Sequence, residues 1–105
     1  MYNKLCIIGH LVKDIQISTL PSGSIVGNSS IASTHTYKTQ TGDKKDETCF
    51  LEFCLFGKRV SKLEQYLKKG TRVILEGRLV HETWTSSDAT KRSKHSLNVD
   101  DIKFV

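Results

Sequence analysis

The sequence predicts an all-β fold of five strands, with one short helix between the third and fourth strands. Runs rich in β-branched and aromatic residues recur along the chain with turn signals between them, which is typical of strands. One stretch alone has apolar residues three and four positions apart, the spacing of an amphipathic helix. With 105 residues, 37% of them apolar, the chain is long enough for a core of its own, so we expect residues 1–105 to form a single domain.

The first two strands frame a proline-glycine turn. Asn3 to Leu11 is apolar and β-rich and forms the first predicted strand, which Asp14 to Ile17 extends after a kink near Gly9. Leu20 to Ser24 has the sequence LPSGS, a composition typical of a turn. Ile25 to Tyr37 consists of β-branched and small residues and is the second predicted strand.

A long polar segment precedes the third strand. Lys38 to Thr48 is entirely polar and contains Thr-Gly-Asp, so we predict a mobile hairpin loop there. Cys49 to Lys58 follows as the third strand. Because successive strand residues point to opposite sides, Leu51, Phe53 and Leu55 share one side, whereas Phe50 and Phe56 share the other.

The helix is predicted from Arg59 to Lys69. Its apolar positions, Val60, Leu63 and Leu67, are three and four apart and therefore lie on one face. Lysines in the last turn interact favourably with the negative end of the helix dipole, and the glycine that follows them is a signal that ends the helix.

The last two strands are separated by a second polar loop. Thr71 to Trp84 returns to the strand pattern, and Thr85 to Lys94 is polar and basic. His95 to Val105 is the fifth predicted strand. Its apolar positions change parity at Asp100, which indicates a β-bulge at that point.

The order of these elements, β-β-β-α-β and a closing strand, is that of the OB-fold, a five-stranded Greek-key barrel. In this fold the binding face is built around strands two and three, and it is flanked by the loops that join strands one to two and four to five. We expect the longest loops to join strands two to three and four to five.

Three aromatic residues of this barrel are predicted to face solvent. Inward-pointing residues fill a small barrel, and we assign Leu51, Phe53, Leu55, Val73, Leu75 and Leu79 to that role. Phe50, Phe56 and Trp84 then point outward. Leaving them in water costs roughly 1.5–3 kcal/mol each relative to burial, so we expect something to cover them.

Single-stranded nucleic acid is one candidate cover. Base stacking on aromatic rings contributes about 1–3 kcal/mol per base and tolerates any sequence. Aromatic residues beside cations fit bases and phosphates together; these are Tyr37 with Lys38, Phe56 with Lys58, and Trp84 near Lys91, Arg92 and Lys94. The alternative covers are a protein interface or a small second core, for instance under the helix.

Charge and cysteine content restrict the class of protein. The net charge of +5 suits a polyanion or an anionic surface, although many small soluble domains are basic without such a partner. Three cysteines without a CxxC motif argue against a disulfide framework or a zinc ribbon. Cys6 and Cys54 lie in apolar strands, where a free thiol behaves as a small hydrophobe. No apolar run resembles a signal peptide or a membrane span, so we expect a cytoplasmic location.

No catalytic or metal site is predicted, and no cofactor. Asp43, Asp46 and Glu47 cluster as nuclease carboxylates do, but on a lysine-bearing segment, which favours a solvated loop. The four histidines, His10, His35, His81 and His95, are scattered without metal-ligand spacing. We therefore expect a binding protein and not an enzyme.

The chain resembles the DNA-binding domain of bacterial single-stranded DNA-binding proteins along nearly all of its length. The matching stretches are NKLCIIGHL, LPSGS, ETCFLEFCLFGK, LEQYLKKG, VILEGRL and ETWT, together with the aromatic end of the second strand at Tyr37. LFGK followed by YLKKG and EGRL at these spacings is a specific signal.

The resemblance implies a function in DNA replication, recombination and repair, with nucleoid association. It implies that the aromatic residues Tyr37, Phe50, Phe56 and Trp84 stack on bases of single-stranded DNA. It also implies a homo-oligomer, in most members a tetramer, with subunit pairing through Asn3 to Leu11. Phosphate contacts are assigned to the cations Lys38, Lys44, Lys45, Lys58, Arg72, Lys91, Arg92 and Lys94.

This chain departs from the family pattern in three respects. Members often have tryptophan where it has Tyr37 and Phe50, so the stacking area is reduced. Where members often have arginine, it has the acidic residues Glu52 and Glu82. These acids slightly favour an alternative function, a primosome-type accessory OB-fold module that binds proteins and has weak nucleic-acid affinity. Members also continue into an acidic tail that recruits replication and repair partners. Here we expect DDIKFV to be the end of the last strand, with no tail after it. Either the sequence is truncated, or this member does not use the tail.

Overall fold

A computed structural model describes all residues from Met1 to Val105. It contains six strands and one helix. Their bounds are β1 Leu5–Leu11, β2 Gln16–Thr19, β3 Ile25–Lys38, β4 Lys44–Phe56, α1 Arg59–Leu63, β5 Arg72–Thr85 and β6 Lys91–Phe104. The predicted extension of the first strand is thus a separate strand, β2, which pairs only with β3.

Five of the strands close into a barrel. Their order is β1-β5-β6-β4-β3, and β1 pairs with β3 at His10–Ala32 and Leu11–Ile31 to complete the ring. All pairings are antiparallel except that of β4 with β6. The helix lies between β4 and β5. The predicted five-stranded OB-fold barrel is confirmed.

The barrel interior is apolar and largely as predicted. It is formed by Leu11, Ile31, Phe53, Leu55, Val60, Leu67, Val73, Leu75, Leu97 and Val99, which are all buried. Leu51 is partly buried against this core. The assignment of Leu79 to the core is wrong, because its side chain is 39% exposed at a point where β5 no longer pairs with β1.

A β-bulge interrupts the pairing of β5 with β6 inside the barrel. The pairing passes from Glu76–Asp101 to Gly77–Val99 and omits Asp100, which confirms the predicted bulge. Gly77 is required here because a Cβ atom would lie 1.9 Å from the carbonyl oxygen of Asn98.

Arg59 at the start of α1 binds this bulge. Its guanidinium group donates hydrogen bonds of 2.7 Å and 2.8 Å to the carbonyl oxygens of Asp100 and Val99. The unpaired carbonyl groups of the irregular strand are thereby satisfied, and the helix is fixed to β6.

Both predicted loops contain a hairpin connection but are shorter than predicted, because the strands continue through about half of each segment. The connections are only Thr39 to Asp43 and Ser86 to Thr90, and each flanking pair of strands forms a two-stranded ribbon beyond the barrel. Hydrogen bonds between polar side chains, and not apolar packing, connect β3 and β4 in their ribbon. Thr34 contacts the hydroxyl of Thr48, and Thr36 donates to Asp46.

The helix is also shorter than predicted. The backbone N–H of Ile15 donates to the carbonyl oxygen of Leu67 at 2.9 Å, and the side chain of Asp14 accepts from the N–H of Lys69 at 2.7 Å. The segment after Leu63 is therefore bound by the chain before β2 and does not continue the helix. Leu67 is nevertheless fully buried and Leu63 partly buried, as the predicted apolar face requires.

Of the two thiols predicted to behave as small hydrophobes, Cys54 is partly buried and Cys6 is not. Cys6 and Cys49 are both exposed. The Cys54 thiol donates to the side-chain oxygen of Asn98 at 2.7 Å, and burial raises its pKa. No helix in this chain has the length and apolar composition needed to cross a bilayer.

Candidate single-strand binding face

The outer side of β4 carries two open phenylalanine rings. Phe50 is 68% exposed and Phe56 is 46% exposed, whereas Phe53, on the inward side of the strand, is 2% exposed. Their cross-strand neighbours on β3 are the small residues Ala32 and Val26. Solvent therefore reaches large apolar rings on a rigid barrel strand, as the sequence predicted.

The third exposed ring, Trp84, lies on the ribbon of β5 and β6. It is 44% exposed and directly opposite Arg92. The ammonium group of Lys94 lies 6.0 Å from the centre of the indole ring, at the limit of a cation–π contact. The ring is thus presented between two cations.

Lys94 joins this ribbon to β4. Its Nζ atom lies 2.7 Å from Oε2 of Glu52 and 3.8 Å from Oε2 of Glu82. The hydrogen bond from Lys94 holds the pKa of Glu52 below its ordinary value, and the same bond raises the pKa of Lys94. Glu52, Glu82 and Lys94 belong to β4, β5 and β6, respectively. Their contacts show that the outer sides of these three strands form one continuous surface. We call this surface the front face; it comprises Phe50, Glu52, Phe56, Glu82, Trp84, Arg92 and Lys94.

The Lys94 cluster changes the electrostatics of the front face. All three side chains are about half exposed, so the ion pairs contribute little to stability in water. Their effect is on charge, because two carboxylates neutralise the cation that lies 6.0 Å from the Trp84 ring centre. The sequence showed the two acidic residues but not that they pair with Lys94.

Lys58 and the LPSGS turn form a hollow beside Phe56. It has a volume of about 580 Å³ and is lined by Leu20, Ser22, Gly23, Ser24, Ile25, Phe56, Gly57 and Lys58. Phe56 therefore has an apolar neighbour, Leu20, and a cation within one cleft. This matches the expectation that the loop between the first two predicted strands flanks the binding face.

Tyr37 does not share the front face. It is opposite Lys45 on the β3–β4 ribbon, and the alternation of β3 places it on the other side from the position of Ala32, which neighbours Phe50. Its ring stacks with that of His35, with a centroid distance of 6.1 Å and an angle of 14° between the rings. Lys38 and Lys44 are paired with each other at the end of the ribbon, on the side of Phe50.

Of the remaining predicted cations, Arg72 and Lys91 are separated from the front-face rings. Arg72 begins β5 opposite His10 and lines a hollow with Ile8 and Thr34 at another part of the barrel. Lys91 is opposite Thr85, on the alternate side of the ribbon from Trp84. Arg92 is on the Trp84 side but lies 4.0 Å from Asp88.

Two histidines form a pair that was not predicted from the sequence. His81 and His95 are directly opposite each other on β5 and β6, and their rings stack with centroids 4.6 Å apart. Only the register of the ribbon reveals this pair. No group of three or more potential metal ligands is brought together in the structure.

Comparison with models of protein families shows to which family this chain belongs. The model of the single-strand binding protein family matches residues 2–105. The chain belongs to this family. It is 42% identical to a single-stranded DNA-binding protein from Wolinella succinogenes and 35% identical to one from Helicobacter pylori, in each case over the whole chain. It spans 65% and 59% of the lengths of these two relatives.

Solved structures of similar fold agree with this assignment. The chain superposes with a TM-score of 0.91 on a Plasmodium falciparum SSB in complex with ssDNA, at 22% identity, and covers 96% of that chain. It superposes with a TM-score of 0.86 on a deletion mutant of the single-stranded DNA binding protein from Thermus aquaticus, at 20% identity, and covers 50% of that chain. At these identities the likeness concerns the fold.

Proposed function

We propose that this member of the single-strand binding protein family binds single-stranded DNA without sequence preference. The observation that carries the proposal is the front face, where Phe50, Phe56 and Trp84 stand open around the Lys94 cluster. Every base has an aromatic face, so a stacking surface of this kind accepts any sequence. The names of the curated relatives, single-stranded DNA-binding proteins, support DNA as the ligand.

Cations around the rings supply the attraction for phosphates. Lys58 adjoins Phe56, Arg92 is opposite Trp84, and Lys38 with Lys44 lies beyond Phe50 along the ribbon. Lys45, Arg72 and Lys91 are further contacts for a strand that continues around the barrel. Lys94 is assigned a positioning role, because Glu52 and Glu82 neutralise it. Tyr37 extends the stacking surface on the other side of its ribbon.

Subunit pairing through β1 is part of the proposal. Residues Leu5 to Gly9 pair with β5 on one edge, whereas pairing with β3 begins only at His10. The second edge of the strand is therefore open for another chain. Its outer side also exposes Ile8, an apolar residue that an interface would cover. A homotetramer built through this strand agrees with both features.

We further propose action in replication, recombination and repair, with a cytoplasmic, nucleoid-associated location and no catalytic activity. The family is one of non-catalytic DNA-binding proteins, which argues against the nuclease hypothesis. The accessory protein-binding alternative rested on Glu52 and Glu82. Both of these side chains are engaged by Lys94, which weakens that argument.

Salt-dependent binding of a labelled oligo-dT tests this function. For single strands the logarithm of the binding constant falls with log salt at about −0.7 per neutralised phosphate. Fluorescence anisotropy across a salt series is expected to give a slope equal to several phosphates, and the labelled strand is expected to survive incubation with magnesium. Absence of binding at low salt would contradict the proposal, and cleavage of the strand would restore the nuclease hypothesis.

A further inference from the structure

The ribbon of β5 and β6 has a second side that the front face does not use. Alternation of the two paired strands places a set of polar and basic residues there, and we call this set the reverse face: His81, Thr83 and Thr85 on β5, and Lys91, Ser93 and His95 on β6. All six residues are exposed, and none carries a carboxylate. The front face of the same ribbon, by contrast, contains Glu82 bound to Lys94.

A stacked pair of rings lies at the barrel end of the reverse face. The imidazoles of His81 and His95 have centroids 4.6 Å apart and planes 17° from parallel. Since each ring is held by its partner, the pair offers a flat surface with little side-chain entropy left to lose. Histidine is among the side chains on which unpaired bases stack.

A hollow next to this pair has room for a nucleotide. Its volume is about 520 Å³, and its lining is His81, Thr83, Trp84, Thr85, Lys91, Arg92 and Ser93. Sites for small organic ligands usually have volumes of about 300–1,000 Å³. Lys91 stands in it without an ion pair, whereas Lys94 is neutralised and Arg92 lies near Asp88. Hydroxyl groups of Thr83 and Ser93 provide hydrogen-bonding partners.

We propose that the reverse face binds one further nucleotide of the strand that occupies the front face. The base stacks on the pair of His81 and His95, and Lys91 contacts a phosphate. Trp84 borders both the front face and the hollow, so the strand passes from one side to the other around its ring. This inference rests on the proposed function, because it needs a single strand already held at the front face.

Histidine NMR signals combined with Trp84 emission test the inference on the unmodified protein. The chain has four histidines and one tryptophan, so single alanine variants assign the His81 and His95 signals and Trp84 emission reports on the front face. When oligo-dT is added, the Hε1 signals of His81 and His95 are expected to shift upfield as Trp84 emission is quenched. Quenching without movement of these two signals would overturn the inference and leave the proposed function intact. Absence of both effects would refute both proposals.

Variants of the same residues give a second measurement. His81→Ala combined with His95→Ala is expected to weaken binding of oligo-dT about tenfold, and phenylalanine at both positions should retain most of the affinity because the rings still stack. Lys91→Ala should lower the salt slope by about 0.7, whereas Lys103→Ala, outside both faces, should leave it unchanged. Wild-type affinity in a double-alanine variant that melts as the wild type does would overturn the inference.

Discussion

Lys94 on β6 and Glu52 on β4 form an ion pair with 2.7 Å between Nζ and Oε2. This contact spans two strands and links the ring of Trp84 to the surface that carries Phe50 and Phe56. Its cost is that the cation 6.0 Å from the Trp84 ring centre is neutralised, since Glu82 lies 3.8 Å from the same ammonium group. If the proposed function holds, this pair of carboxylates opposes the phosphates of a strand bound at the front face.

Removal of these two charges is therefore expected to strengthen DNA binding. In the double variant Glu52→Gln with Glu82→Gln, Lys94 becomes free for a phosphate, and the salt slope should become steeper by about 0.7. Stability should change by less than about 1 kcal/mol, because the pairs are exposed. Anisotropy titrations with oligo-dT measure the first effect and thermal melts the second.

Glu64→Gln is the matched control for this prediction. Glu64 follows α1, is exposed and has no ion pair, so the variant makes the same chemical change away from the front face. If the double variant bound DNA no better than Glu64→Gln, the idea that the acidic pair weakens phosphate binding would be wrong.

The same ion pair should make stability depend on pH in a defined way. The pKa of Glu52 is lowered on folding from its ordinary value of 4.5, so its contribution is fully present above pH 4.5 and is lost as the pH falls through the lowered value. The pKa of Lys94 is raised from 10.5, so the contribution is present below pH 10.5 and disappears as the pH rises through the raised value.

Melting curves of the wild type and Glu52→Gln across pH are the corresponding measurement. The wild type should melt higher between these two limits, and the difference should vanish in stronger acid, where Glu52 is neutral. A difference of the same size at all pH values would show that the glutamate acts through its shape and not through its charge.

Alanine substitutions should show that Leu67 contributes more to stability than Leu63. Leu67 is fully buried, so Leu67→Ala is expected to lower the free energy of unfolding by about 2–5 kcal/mol. The sequence places Leu63 on the same apolar face as Leu67, but this side chain is only partly buried and Leu63→Ala should cost less. Urea unfolding of the two variants compares them directly, and an equal or reversed order would contradict the packing described here.

Alanine substitution of the front-face rings should weaken DNA binding without unfolding the domain. Phe56→Ala and Trp84→Ala are each expected to cost roughly 1–3 kcal/mol of binding free energy. Tyr37→Ala should fall at the low end of that range, because Tyr37 is on the other side of its ribbon. Titration with oligo-dT measures these losses. Full affinity in both the Phe56 and Trp84 variants would remove the stacking assignment.

Several features of this molecule could be predicted from local patterns in the sequence. The alternation of β4 identified Phe53 and Leu55 as core and Phe50 and Phe56 as exposed, because burial on one side leaves a period of two. The change of parity at Asp100 located the bulge for the same reason. The spacing of Val60 and Leu67 indicated a buried face, although the segment forms only one short helix.

Other features depend on pairing between distant segments, which a single sequence does not reveal. Lys38 to Thr48 appeared to be a loop because neither side of the β3–β4 ribbon faces a core, so no apolar alternation marks the strands. The position of Tyr37 and the stack of His81 on His95 follow from strand register. The link from Lys94 to Glu52 crosses the parallel pairing of β4 with β6, and 42 residues separate the two along the chain.

Emission of the single tryptophan tests the central claim most directly, because Trp84 is the only residue of its kind in the chain. Oligo-dT added at low salt should quench this emission to saturation, and the midpoint should move to higher DNA concentration at higher salt. Binding detected by anisotropy with no change in Trp84 emission would contradict the account, since the strand would then occupy a surface other than the front face.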